Sequence, residues 1–75
     1  MRNINAMTPK IFGLAEKNTD GTPDPDKVQI WGMELETRAV LFWLERGRSQ
    51  FAVFDTAENA NARFGDLFNL TLYRP

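Results

Sequence analysis

The sequence predicts a small α+β domain. Its core is a mostly antiparallel sheet laid out as β-β-β-α-β, with one helix packed on one face, preceded by a flexible or short-helical N-terminal arm. Three observations predict it. Ala39 to Asp55 holds two apolar runs parted by Arg46-Gly47-Arg48. From Asp55 onward, apolar residues recur at intervals of three and four. Between Asn18 and Asp26 the chain reads NTDGTPDPD, dense in turn-forming residues. Residues 1–27 are therefore expected to form an arm and a Pro/Asp-rich linker, and residues 28–75 a single small domain.

The hairpin carries most of this expectation. In an extended chain Val40, Phe42 and Leu44 share one face, and Ala39, Leu41 and Trp43 the other. On a return strand from Ser49 to Phe54, Phe51 and Val53 oppose Ala52 and Phe54 in the same way. β-branched and aromatic residues dominate both runs. Gly47 supplies the positive φ that a tight turn requires. A helix over Thr37–Arg46 competes, with Thr37 as N-cap and Gly47 just past its end. Glu34 and Arg38 are also spaced for a helical ion pair. Six consecutive apolar residues show no 3.6 period, so length and residue type favour strands.

At the start of the chain, Met1 to Asn5 reads as a frayed terminus. Thr8-Pro9 is a helix-start signal, and a short helix to about Lys17 would present Ile11, Phe12, Leu14 and Ala15. Gly13 weakens it, and so short a helix needs a surface to dock on, with Phe12 as anchor. Lys27 to Leu35 is the first strand, bent at Gly32. Glu36-Thr37-Arg38 turns into the hairpin without glycine, asparagine or proline. Asp55, with Glu58 three residues on, forms a capping box at the helix start, and Thr56 is the alternative cap. Ala57, Ala60, Phe64, Leu67 and Phe68 make the apolar stripe. Asn69 to Tyr73 is a short last strand, with Leu70 and Leu72 inward and Thr71 and Tyr73 outward. It runs parallel to its predecessor if the two are adjacent.

Composition narrows the chemistry. The chain has 75 residues, no cysteine and no histidine, and a formal net charge of -1. A domain this short is marginally stable, and here neither disulfides nor a histidine- or cysteine-based metal site reinforces it. Balanced charge gives no strong electrostatic hold on nucleic acid or on an anionic membrane. No apolar leader and no stretch of membrane-spanning length is evident, so the expectation is a soluble, cytoplasmic protein with no membrane partner.

Catalysis finds few candidates. The usual acid–base and nucleophilic side chains, His and Cys, are missing, and Ser49 has no evident base. Glu34 and Glu36 share one side of a strand, but repeated surface charge is the commoner reason for such spacing. The chain is therefore not expected to be an enzyme, and no catalytic, metal or cofactor site is assigned. Residues 16–24 place Glu16, Asn18, Asp20, Gly21, Thr22 and Asp24 at calcium-loop spacings. The segment resembles an EF-hand loop in its Asp-Gly core only: Lys27 stands where the bidentate glutamate belongs. It reads as a solvated turn, not a calcium site.

Interaction is what remains. More apolar side chains are present than one helix can cover, and tryptophan and arginine favour interface centres. The expectation is a non-catalytic protein-protein interaction module: a small regulator or inhibitor that docks on a larger protein, or a chain that self-associates as a homodimer. Its candidate binding residues are Phe12, Trp31, Trp43, Arg46, Arg48 and Phe51. The alternative is a nucleic-acid-binding module using exposed aromatics with Arg38, Arg46 and Arg48.

Overall fold

The computed structural model describes residues 8–75. The frayed terminus expected over residues 1–5 lies outside them. Five strands and one helical segment run along the chain: β1 (Lys10–Lys17), β2 (Pro23–Glu34), β3 (Ala39–Glu45), β4 (Arg48–Phe54), a helical segment over 57–68, and β5 (Leu70–Tyr73). The strands form one sheet in the order β4-β3-β2-β1-β5, every neighbouring pair antiparallel. The predicted α+β class, with an antiparallel sheet and one packed helix, is what the chain adopts.

The hairpin forms as its alternation implies. Val40 pairs with Val53 and Phe42 with Phe51 on one face, while Ala39 pairs with Phe54 and Leu41 with Ala52 on the other. The competing helix over Thr37–Arg46 is not present. The turn is two residues long, with Arg46 at φ 55° and Gly47 at φ 79°. Two successive positive φ values give a turn whose twist matches that of the strands it joins. The plain turn before β3 is closed by the Leu35 amide donating to the Arg38 carbonyl at 2.7 Å.

One segment departs from expectation. Lys10–Lys17, read as a short helix in an arm, is strand β1, and it lies inside the sheet between β2 and β5. The run Ile11 to Ala15 is apolar on both faces, the pattern of a strand with neighbours on either side. Pairing with two strands outweighs the Thr-Pro helix-start signal, which is a local preference only. The boundary expected after residue 27 accordingly falls within β2. The bend expected at Gly32 lies elsewhere: the register of β1 on β2 shifts between Leu14 and Ala15, leaving Gln29 as the extra residue between Val28 and Ile30.

The helical segment has three stretches: α1 (Ala57–Ala60), a π-helical turn (Asn61–Gly65) and α2 (Asp66–Phe68). Thr56 caps it, its hydroxyl accepting the Asn59 amide at 3.0 Å. Asp55, the first-choice cap, instead pairs with Arg38 at 3.3 Å. The π-turn adds a residue to the helical repeat and rotates the side chains beyond it. Ala57, Ala60 and Gly65 are buried, whereas Leu67 and Phe68, expected on the apolar stripe, are exposed. Asn69, left-handed at φ 59°, ends the segment. The chain thereby passes from the β4 edge of the sheet to its far edge. β5 is therefore not adjacent to β4, and it pairs antiparallel with β1.

The core lies between this segment and one sheet face. Phe12, Leu14, Ile30, Ala39, Leu41, Ala57, Ala60 and Leu70 fill it. The Phe64 ring meets Trp43, Phe54 and Phe68 edge-on, at centroid distances of 5.2, 5.6 and 5.8 Å. Arg74 ties the end of β5 to both layers. It reaches the Glu34 carboxylate on β2 and the Glu58 carboxylate on α1, the latter at 2.7 Å. No helix among the described residues is long and apolar enough to cross a membrane.

Candidate functional site

Strand alternation sends every second side chain away from the helix, and the pairing registers align these residues into rows across the sheet. In the first row Ile11, Met33, Val40 and Val53 run from β1 to β4. In the second, Tyr73, Gly13, Trp31, Phe42 and Phe51 span all the strands. A third holds Thr71, Ala15 and Val28 at one side, with Leu44 and Ser49 paired at the other. None of these side chains is charged.

The middle row is an aromatic belt. Phe42 and Phe51 are tilted against each other at 5.3 Å, and Trp31 meets Tyr73 edge-on at 6.4 Å. Gly13, cross-strand from both Trp31 and Tyr73, puts no side chain between them. A Cβ at residue 13 would stand 3.4 Å from Trp31 Cε3 and 2.6 Å from Val28 Cγ1. The glycine that weakened a helical reading of this segment therefore serves the packing of the belt.

Nothing among the described residues covers this face. Ile11, Trp31, Met33, Phe42, Leu44, Phe51 and Val53 are exposed to solvent, from 41% at Met33 and Phe42 to 66% at Leu44 and Phe51, while Val28, Val40 and Tyr73 are half-buried. At these fractions the seven exposed side chains together present on the order of 700–800 Å², a fully exposed large side chain carrying ~150–250 Å². The largest such patch on a typical monomer is about 300–600 Å².

The six residues singled out in the sequence do not gather at one place. Trp31 and Phe51 lie in the aromatic belt. Phe12 is fully buried in the core, so it is not a surface anchor. Trp43 faces the helix and packs on Phe64. Arg46 sits in the β3–β4 turn, and Arg48 opens β4 opposite Glu45. The six leave out Ile11, Met33, Val40, Phe42, Leu44 and Val53; Tyr73, which the sequence offers for an aromatic platform with Trp31, Trp43 and Phe51, does join the belt. The parity of Val40, Phe42 and Leu44 was already legible; which face the helix would take was not.

The basic residues do not flank the aromatic belt. Arg38 pairs with Asp55, and Arg74 with Glu34 and Glu58. The Glu58 carboxyl is held below its ordinary value first by its own backbone amide and then by the Arg74 guanidinium, and Arg74 is held correspondingly higher, chiefly by Glu34. Glu34 and Glu36 do not form a carboxylate pair: Glu34 is in β2 bound to Arg74, and Glu36 lies in the turn after it.

Two other places were candidates. A groove of about 680 Å³ on the helix side is lined by Glu16, Gln29, Trp43 and Phe68 among others. Its polar groups satisfy one another, Gln29 donating to Glu16 at 3.0 Å and Lys17 reaching Asn69 at 3.5 Å. In the Asn18–Asp26 loop the carboxylates serve the loop itself. Asp20 accepts the Thr22 hydroxyl at 2.6 Å and the Thr22 amide at 3.0 Å, which lowers its pKa, and Asp24 accepts the Asp26 amide at 2.9 Å. Among the described residues, no group of three or more His, Cys, Asp or Glu could hold a metal ion.

Comparison with protein families, characterised proteins and solved structures found no match to the chain. The reading of the site therefore rests on its own geometry.

Proposed function

We propose that this chain is a non-catalytic protein-protein interaction module, a small regulator or inhibitor that docks on a larger protein or self-associates, and that the sheet face left uncovered among the described residues is its binding surface. The single observation behind this reading is the area and chemistry of that face. Uncharged rows carry the most exposed aromatic and aliphatic side chains of the sheet, on a rigid scaffold whose other side is sealed by the helix. Aromatic residues in an apolar centre are what interfaces concentrate. A base-stacking platform would share the aromatics but needs cations beside them; Arg38 is paired with Asp55, Arg48 stands opposite Glu45, and Arg46 lies in the β3–β4 turn, beyond the Leu44–Ser49 pair that separates it from the belt.

Site-specific photo-crosslinking in cells tests the reading. A photoreactive residue at Phe51 is expected to give discrete protein adducts, including any with the chain itself. The same group at Leu67, exposed on the helix side, is expected to give none. Adducts at Leu67 without adducts at Phe51 would move the binding surface and overturn the reading. Adducts at neither position would remove it.

A further inference from the structure

Resting on the reading of the sheet face as a docking surface, we infer that its occupant is a second copy of this chain, packed face to face across a two-fold axis that passes close to Phe42.

Charge is the first argument. The three rows contain no charged side chain, so the face offers a partner no ionic contact to read. It demands a surface equally free of charge. An identical face meets that demand by construction, and in a two-fold interface the same patch serves both sides.

Area is the second. Specific interfaces bury about 800 Å² on each partner, and the exposed apolar side chains here present on the order of 700–800 Å². One copy laid on another would cover nearly all of it. The exposure pattern gives the centre. Phe42 lies between Trp31 and Phe51 in its row and is 41% exposed, while Phe51, on the edge strand, reaches 66%. Antiparallel sheets stacked about 10 Å apart, with strands turned by roughly 30°, interdigitate such rows. The product is a four-layer particle with a helix on each outer side.

The third argument is the thinness of the monomer core. Of the residues that fill it, Ala39, Ala57 and Ala60 are alanines, and only Phe12, Leu14 and Leu41 are large and fully enclosed. Below ~70–80 residues one core rarely suffices without a staple or a partner. Pairing the open faces would supply a second core made of larger side chains than the first.

Sedimentation equilibrium across a concentration series, combined with a charge-swap design, tests the inference. The wild-type chain is expected to sediment at twice its 8.6 kDa mass. Phe42→Lys and Phe42→Glu chains are each expected to be monomeric, and to form a one-to-one complex when mixed, because the axis brings the two positions together. Val53→Lys, on an exposed edge strand, tests the same face should the Phe42 variants not fold, and is expected to weaken association about 30-fold or more. Leu67→Lys, on the helix side, is expected to leave the dimer intact. A wild-type chain monomeric at about 100 μM would overturn the inference, as would a dimer broken by Leu67→Lys and not by Val53→Lys. Failure of the dimer and failure of the docking reading are told apart at Phe51. A monomer whose Phe51 crosslinks to foreign proteins overturns self-association only, and one that crosslinks to nothing overturns both.

Discussion

The ring of Phe12 fills the space where a side chain at Gly32 would begin: a Cβ at residue 32 would stand 2.7 Å from Phe12 Cζ and 2.6 Å from the Val40 carbonyl oxygen. The two residues are cross-strand partners on β1 and β2, beneath the helix. The largest fully buried ring of the core therefore depends on a missing side chain on the next strand.

Gly32→Ala is accordingly expected to lower stability by about 1–3 kcal/mol, the usual range for overpacking a filled site. Urea denaturation should show the midpoint falling with an unchanged slope. Because the Val40 backbone also blocks the site, trimming the ring with Phe12→Leu in the same chain is expected to recover only part of the loss, and the two substitutions should be non-additive.

At the helix start, Thr56→Ala removes the hydroxyl that accepts the Asn59 amide and is expected to cost about 1 kcal/mol. Asp55→Ala breaks only an exposed ion pair with Arg38 and should cost well under ~1 kcal/mol. Thermal unfolding of the two variants orders them, and the reverse order would make Asp55 the working cap.

Acid stability should depend on Glu58. Its carboxyl sits below the ordinary 4.5 in the folded chain. The contribution is thus complete above the unfolded value and disappears as pH falls through the lower folded one. Melting temperature measured against pH should fall less steeply for Glu58→Gln than for the wild type. Added salt should narrow the difference, since the contact with Arg74 is exposed.

The β3–β4 turn is open to improvement. Arg46 holds φ 55° without the tolerance of asparagine for that region. Arg46→Asn, giving Asn-Gly in a two-residue hairpin, is expected to stabilise the fold by about 0.5–1 kcal/mol. Gly47→Ala, at φ 79°, should destabilise it by about 1 kcal/mol or more. Chemical denaturation of both variants provides the check.

How much of the fold was legible in advance depends on the range of the interactions involved. The β3–β4 hairpin was readable because its signal is local: alternation on both sides of a glycine turn. Leu70 and Leu72 were readable as inward residues for the same reason. β1 was not, because Thr8-Pro9 imitates a helix start and only pairing with β2 and β5 reveals an apolar run as a central strand. Leu67 and Phe68 were misplaced because a period of 3.6 has no way to foresee the π-turn at Asn61–Gly65. Of the six residues chosen, Trp31 and Phe51 belong to the sheet face that the helix leaves open. Residue type alone does not separate Phe12, sealed in the core, from Phe42, open to water. That distinction comes from which side the helix takes, a choice made by the whole sheet.

The antiparallel joining of β1 to β5 has a consequence for synthesis. On the edge away from β2, Gly13 through Glu16 pair with Leu70 to Tyr73, the last of the five strands to be made. Until then β1 keeps a vacant edge beside a greasy surface, the kind of nascent chain that attracts holdases and pairs with its neighbours. Such distant pairing also makes folding slow. A chain whose β5 has not yet docked is therefore the form most prone to edge-to-edge association, because β1 then offers unpaired backbone groups beside apolar side chains.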